Sequence, residues 1–278
     1  SSWISIQVMK SLINRRGYTI KKSFCDGWDN LFVLVFTNLI YLLVAMGLVS
    51  VVAFFTGGDN LLLFLTFTVA CILLSILAMA FGDQAQKISD FCGVRFVDYF
   101  KNIPGVLKDG ALLGLLIAIV TTVSVVGIPF YWTMGSTFGL CVAALFVWLD
   151  VIFLLAIQWF IPLRSAMHNP FKKCLKKCFI IFFDNTFFCL QMALYNLVMI
   201  IFSVLFLGFV PSMAGVILAR TDALRLRLYK YDYLEEHPEL KTKAQRSQIP
   251  WEELLYEDKE ALGVRNFKSF FMPWKDSK

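Results

Sequence analysis

Asp150 stands inside LFVWLDVIFLL, residues 145–155, with apolar side chains on both sides. An ionised carboxylate near the middle of a bilayer costs ~3 kcal/mol on insertion scales. No Lys, Arg or His lies well inside any long apolar run of the chain to neutralise it. The neutral side chains able to meet it are Asn38, Gln191 and Asn196 in other runs, and Gln158 two turns on in its own. Two kinds of chemistry follow. Asp150 can be a hydrogen-bonded bolt that fixes the rotation of neighbouring helices. It can also be a proton- or cation-responsive group in a conducting or transporting core. The bolt is the simpler expectation, because a carrier usually needs more than one intramembrane polar group.

Other chemistries find little support. The chain has no G-x-x-x-x-G-K-[ST], no G-x-S-x-G and no H-E-x-x-H. Its two histidines, His168 and His237, are far apart in sequence. Asp83, Asp90 and Asp98 flank apolar runs without a recognisable catalytic pattern. Among seven cysteines, Cys174 and Cys178 share a helical face, but no C-x-x-C pair or ligand set accompanies them. The expectation is a protein that is not an enzyme and uses no cofactor or metal.

The elements that must position Asp150 are membrane helices. Of 278 residues, 58% are hydrophobic and 17% charged, and the mean hydropathy is +0.69. The apolar residues come in blocks at about 31–55, 61–82, 110–131, 138–163, 186–206 and 209–221. A crossing needs ~20 residues, so five blocks suffice and the last is short. The first 27 residues lack an apolar core and a cleavage site, and the block near Leu31 reads as an uncleaved anchor. Residues 1–220 hold 15 Lys and Arg against 9 acids, all Asp, whereas 221–278 hold 11 of each. The soluble tail is therefore neutral, which argues against nucleic acid as a partner. The segments 57–60, 131–137 and 207–208 contain no Lys or Arg, and every other connection is basic. The positive-inside rule then puts both termini in the cytoplasm, with an even number of crossings. Six is the expectation, or four plus a re-entrant hairpin.

The expected fold is all-α: a polytopic bundle of six transmembrane helices in three hairpins. It has an amphipathic cytoplasmic segment (1–27), a membrane domain (28–221) and a cytoplasmic tail (222–278). Three hairpins start alike, in KKSFCDGWDNLFVLVF, NIPGVLKDGALLGLLI and KKCFIIFFDNTFFCLQ. Aligned on Asp29, Asp109 and Asp184, they predict a carboxylate cap on the first turn of each membrane helix. RFVDYFKNI (95–103) and PFKKCLKKCF (170–179) read as interfacial elbow helices. Their Arg95, Lys101, Lys172, Lys173, Lys176 and Lys177 would face anionic headgroups of the phospholipid bilayer. Ala111, Gly114 and Ala118 mark close helix approach in span three, as do Ala143 and Ala144 in span four. In the tail, IPWEELLYEDKEALG starts with Pro250, carries Glu252 and Glu253 in its first turn, and stops at Gly263. Its Trp251, Leu254, Leu255 and Leu262 form an apolar face suited to docking a partner.

VRFVDYFKNIPGVLKDGALLGLLI (94–117) resembles the aromatic-x-x-F-K-x-N start of a long apolar helix in the YesL-like (DUF624) family of bacterial membrane proteins. GFVPSMAGVILAR (208–220) resembles the Gly-x-x-Pro turn and helix of that family. The resemblance covers under a fifth of the chain, and the tail after residue 235 has no counterpart in it. It implies six spans in a bacterial cytoplasmic (inner) membrane and an association with carbohydrate uptake. The expected function is a non-enzymatic accessory or assembly subunit of a bacterial membrane complex, linked to a transport system, with protein partners or a homo-oligomer. The alternative is a small transporter or channel built on Asp150.

Overall fold

The computed structural model describes residues 17–55, 60–239 and 249–263, and every regular element among them is a helix. Residues 17–29 form α1. It is followed by α2 (Leu31–Phe55), α3 (Asn60–Ser89), α4 (Phe96–Thr133), α5 (Thr137–Ile157), α6 (Phe160–Met167), α7 (Phe171–Asp184), α8 (Thr186–Leu205), α9 (Ser212–Glu236), α10 (Trp251–Leu254) and α11 (Tyr256–Leu262). Five stretches are long and apolar enough to cross a bilayer: α2, α3, α4, α5 with α6 (Thr137–Met167), and α8. They correspond to the first five apolar blocks. The short sixth block opens α9, which turns polar from Arg220 onward and is not among the five.

The chain divides into two compact units. One is Asn30–Leu224; the other joins the chain's ends, with described residues 17–29, 225–239 and 249–263. The N-terminal segment and the tail, expected as separate regions, thus belong to one unit.

In the membrane unit, many large apolar side chains face outward and small ones line the closest helix contacts, although Trp159, Phe160, Tyr99 and Phe81 are fully buried. Phe32 is 80% exposed, Phe54 83% and Trp148 66%, while Ala80, Ala85, Ala118 and Ala156 are fully buried. Lipid solvates large apolar groups as well as a protein core does, so the closest helix contacts go to residues that let backbones approach. The closest approach joins α3 to α4. A Cβ on Gly110 would stand 2.8 Å from Ile76 Cα, and one on Gly114 2.4 Å from Ile72 Cα. The buried stripe is Gly110, Gly114 and Ala118, at four-residue spacing, rather than one beginning at Ala111, which is half-buried. GALLG (110–114) is a Gly-x-x-x-Gly signal, the sequence mark of such a contact.

Of the two expected elbows, only α7 is a helix of its own. Residues 96–103 are the first turns of α4, which runs through Pro104 without ending. Tyr99 donates to Leu77 O at 3.2 Å and Asn102 to Ala80 O at 3.3 Å, so these turns are tied to α3 and continue along it. The helix begins where Asp98 accepts the Arg95 backbone N–H at 3.2 Å, half of a capping box. In the same way Ser136 accepts from Gly139 N–H at 3.1 Å and starts α5.

The terminal unit is built like a small soluble core. Tyr18, Cys25, Leu226, Ile249, Trp251, Leu255 and Leu262 are buried together, with Tyr229, Tyr233 and Leu254 packed against them. Lys22 and Asp26, one turn apart and both buried, pair at 2.5 Å. Arg225 holds Asp258 at 2.9 and 3.1 Å, and Tyr229 donates to the same carboxylate at 3.1 Å. Burial pushes the Tyr229 phenol up to about 12, which keeps it a donor. The apolar face expected to dock a partner is therefore covered within the chain: Trp251, Leu255 and Leu262 lie in this core, with Leu254 against it. The reason is the α1 face, whose Tyr18 and Cys25 supply the other side. The expected single helix is two, α10 and α11, separated at Leu255 and stopped by Gly263 at φ +68.

Candidate intramembrane sites

Asp150 lies ~20 Å along α5 from Thr137, by helical rise. It is half-buried, and Ser124 of α4 donates to its Oδ1 at 2.7 Å. Among the described residues Ser124 is the polar partner that the structure gives it. Thr121, one turn from Ser124 on the same face of α4, is exposed. The amides singled out in the sequence sit elsewhere. Gln158 donates to Leu155 O and, at 3.1 Å, to Cys189 O of α8. Gln191 is half-buried on α8. Asn196 is 2% exposed, and neither of its amide atoms has a hydrogen-bond partner among the described residues. Ser124 was overlooked because hydroxyls are common in membrane helices; the signal was TTVS (121–124), three hydroxyls in an apolar run.

Asn38 has a different task. Its amide nitrogen donates to Phe209 O at 2.8 Å and Pro211 O at 3.0 Å, and its oxygen accepts from Ala214 N–H at 2.8 Å. One fully buried side chain thus satisfies three backbone groups of the α8–α9 turn. That turn needs it. Leu207, Gly208 and Ser212 have positive φ (54, 80 and 45), and irregular backbone at membrane depth must find partners inside the protein. Gly208 also stands against Leu42, 3.3 Å from where a Cβ would be.

Contacts at both ends tie α8 and the turn after it to α5 and α2. Near its start, Cys189 accepts from Gln158, just past the C-terminal end of α5, and Trp159 Nε1 lies 3.1 Å from its sulfur. After its finish, the turn meets Asn38 and Leu42, ~10 and ~16 Å into α2 from Leu31. The start of α2 and the end of α5 belong to one end of the bundle. Phe36 and Phe96 rings are 5.5 Å apart, Gln84 donates to Arg95 O at 3.0 Å, and a Cβ on Gly82 would touch Ile161 at 2.5 Å. Residues 189–205 would rise ~24 Å if upright. The turn after α8 meets the first half of α2.

The three aspartates do not share the expected role. Asp109 is well inside α4, not at a helix start, because α4 begins at Phe96. It pairs with Arg164 of α6 at 2.5 Å, where both side chains are largely buried. Asp184 is the last residue of α7; Asn185 occupies the junction with α8 and donates to the Asp184 carboxylate at 2.9 Å. Asp29 is the last residue of α1, ahead of α2.

On α7 the basic side is open. Lys172, Lys173 and Lys176 are exposed, while Lys177 is half-buried with Nζ 2.8 Å from Met167 Sδ. The opposite side buries Cys174, Cys178, Ile181 and Phe182. Burial pushes both thiols up, away from the reactive thiolate. Arg95 and Lys101 are exposed and flank Asp98 at 3.8 and 4.0 Å. His168 ends α6 in the left-handed region, and His237 stacks on Tyr233. No group of three or more His, Cys, Asp and Glu side chains converges to hold a metal among the described residues. The chain matches no protein-family model, no curated protein and no solved structure.

Proposed function

We propose that the protein is a non-enzymatic accessory or assembly subunit of a bacterial inner-membrane complex, as its YesL-like segments also suggest. The observation that carries this reading is how the membrane unit uses its buried polar groups. Asn38, Tyr99, Asp109, Gln158 and Arg164 each bond a backbone or side-chain group of another element. They hold helices to one another, the work of a scaffold. If the protein, extracted in mild detergent, runs alone and crosslinking in native membranes finds no partner, the reading fails.

In this account four stretches cross the bilayer: α2, α3, α4 and α5 with α6. Here α8 leans, and with the turn after it forms a re-entrant hairpin that returns to the cytoplasmic side. The basic connections support this orientation. The joining of α1 with the tail in one unit is in keeping with an even number of crossings. Single cysteines in a cysteine-free background test it. Leu207→Cys resists an impermeant reagent added outside, whereas Met134→Cys reacts; labelling of both from outside restores a full crossing for α8.

The Ser124–Asp150 bond favours one second reading, a small transporter. Asp150→Asn keeps the shape and removes the titratable group. Proton-coupled flux in liposomes that this variant abolishes would support transport, and absence of flux in the parent protein ends that reading.

A further inference from the structure

The seam between α4 and α5 presents an intramembrane carboxylate toward the outside of the membrane unit. Asp150 is half-buried, and Val147, Val151 and Leu154 around it on α5 are 47%, 40% and 64% exposed. Ser124 engages Oδ1; Oδ2 has no hydrogen bond or ion pair among the described residues. On the facing helix, Thr121 adds an exposed hydroxyl one turn from Ser124. A carboxylate left against lipid is unfavourable by ~3 kcal/mol or more, and one neutral hydroxyl does not offset that.

We propose that this seam docks a transmembrane helix of another protein carrying a Lys or Arg near the bilayer midplane. Charge complementarity selects the occupant. A second copy of this chain cannot supply the cation, because the apolar runs 31–82, 110–163 and 186–219 contain no Lys or Arg. Two copies meeting here would instead bring two carboxylates together. The exposed Val147, Val151 and Leu154 offer an apolar surface on either side of the charge, as a helix lying along α5 requires. The inference rests on the accessory-subunit reading and names the chemistry of its partner.

The test uses the full chain, labelled with a fluorophore and reconstituted in phospholipid vesicles. The probes are three Leu/Ala transmembrane peptides that differ only in a central Lys, Asn or Leu, and energy transfer reports association. The Lys peptide is expected to associate at least tenfold more strongly than either of the others. Asp150→Asn should reduce that preference to within twofold, and Asp150→Glu should retain most of it, which guards against a folding defect in the first variant. Equal association of the three peptides overturns the proposal. So does a Lys preference that survives Asp150→Asn, or disulfide crosslinking of Val147→Cys to itself between copies at stoichiometric yield. Failure here, with a stable partner still copurifying from native membranes, refutes this docking mode alone. Absence of any stable partner refutes the accessory reading beneath it.

Discussion

The two units solve opposite packing problems. In the terminal unit, Trp251, Leu226, Leu255 and Tyr18 go inside, and half-buried Arg225 and buried Lys22 each face a carboxylate. In the membrane unit, Trp148, Phe54 and Phe32 go outside, and Gly110, Gly114 and Ala118 line the closest helix contact. Water drives the first core together by expelling large side chains from solvent. Lipid gives no such drive, so the second relies on close backbone contact and on polar groups with no alternative partner. One substitution can therefore be harmful in one unit and tolerated in the other.

The largest effect should come from Gly114→Val. Its Cβ would meet Ile72 Cα at 2.4 Å and Cys71 O at 2.6 Å, both backbone atoms that no side-chain rotation can move. Overpacking of this kind costs ~3 kcal/mol. It should abolish recovery of monodisperse protein in mild detergent. If Gly114→Val is as stable as the parent, the contrast between units loses its basis.

Arg225→Ala should come next. It leaves Asp258, 4% exposed, with only Tyr229 from the present network, at a cost of about 3 kcal/mol. The loss belongs to the terminal unit: limited proteolysis of the tail should accelerate while membrane-protected fragments stay unchanged. Asn38→Leu strips partners from three turn groups and should destabilise by about 2 kcal/mol. Its signature is selective exposure of residues 206–214 to hydrogen exchange, Ala214 above all. Loss in the tail instead would contradict the clamp. The smallest effect on folding is that of Lys172, Lys173 and Lys176 changed together to Gln. Folding should hold, while affinity for vesicles containing anionic lipid weakens by about 1 kcal/mol per charge. Unchanged binding would show that this face does not touch headgroups.

Much of the fold was legible because membrane helices announce themselves by length and composition. All five long apolar blocks became helices of membrane length. What was not legible depended on contacts distant in sequence. Asp29, Asp109 and Asp184 aligned as a repeat, yet Asp109 answers to Arg164, 55 residues away. Asn38 looked like a neighbour for Asp150, but its partners lie more than 170 positions away, in a turn whose strain no periodicity reveals. The apolar face of the tail was visible, but its cover, α1, is at the other end of the chain. Ser124 was legible in principle, and so was Gly110; a hydroxyl and a glycine in an apolar run say little until a neighbouring helix gives them a partner.

The central claim is that this chain holds a complex together. Native mass spectrometry of protein released from its own membranes in mild detergent tests it most directly. The account predicts a discrete species heavier than the 31.8 kDa chain by the mass of a different polypeptide. A spectrum containing only the single chain, or only whole-number multiples of it, would contradict the account.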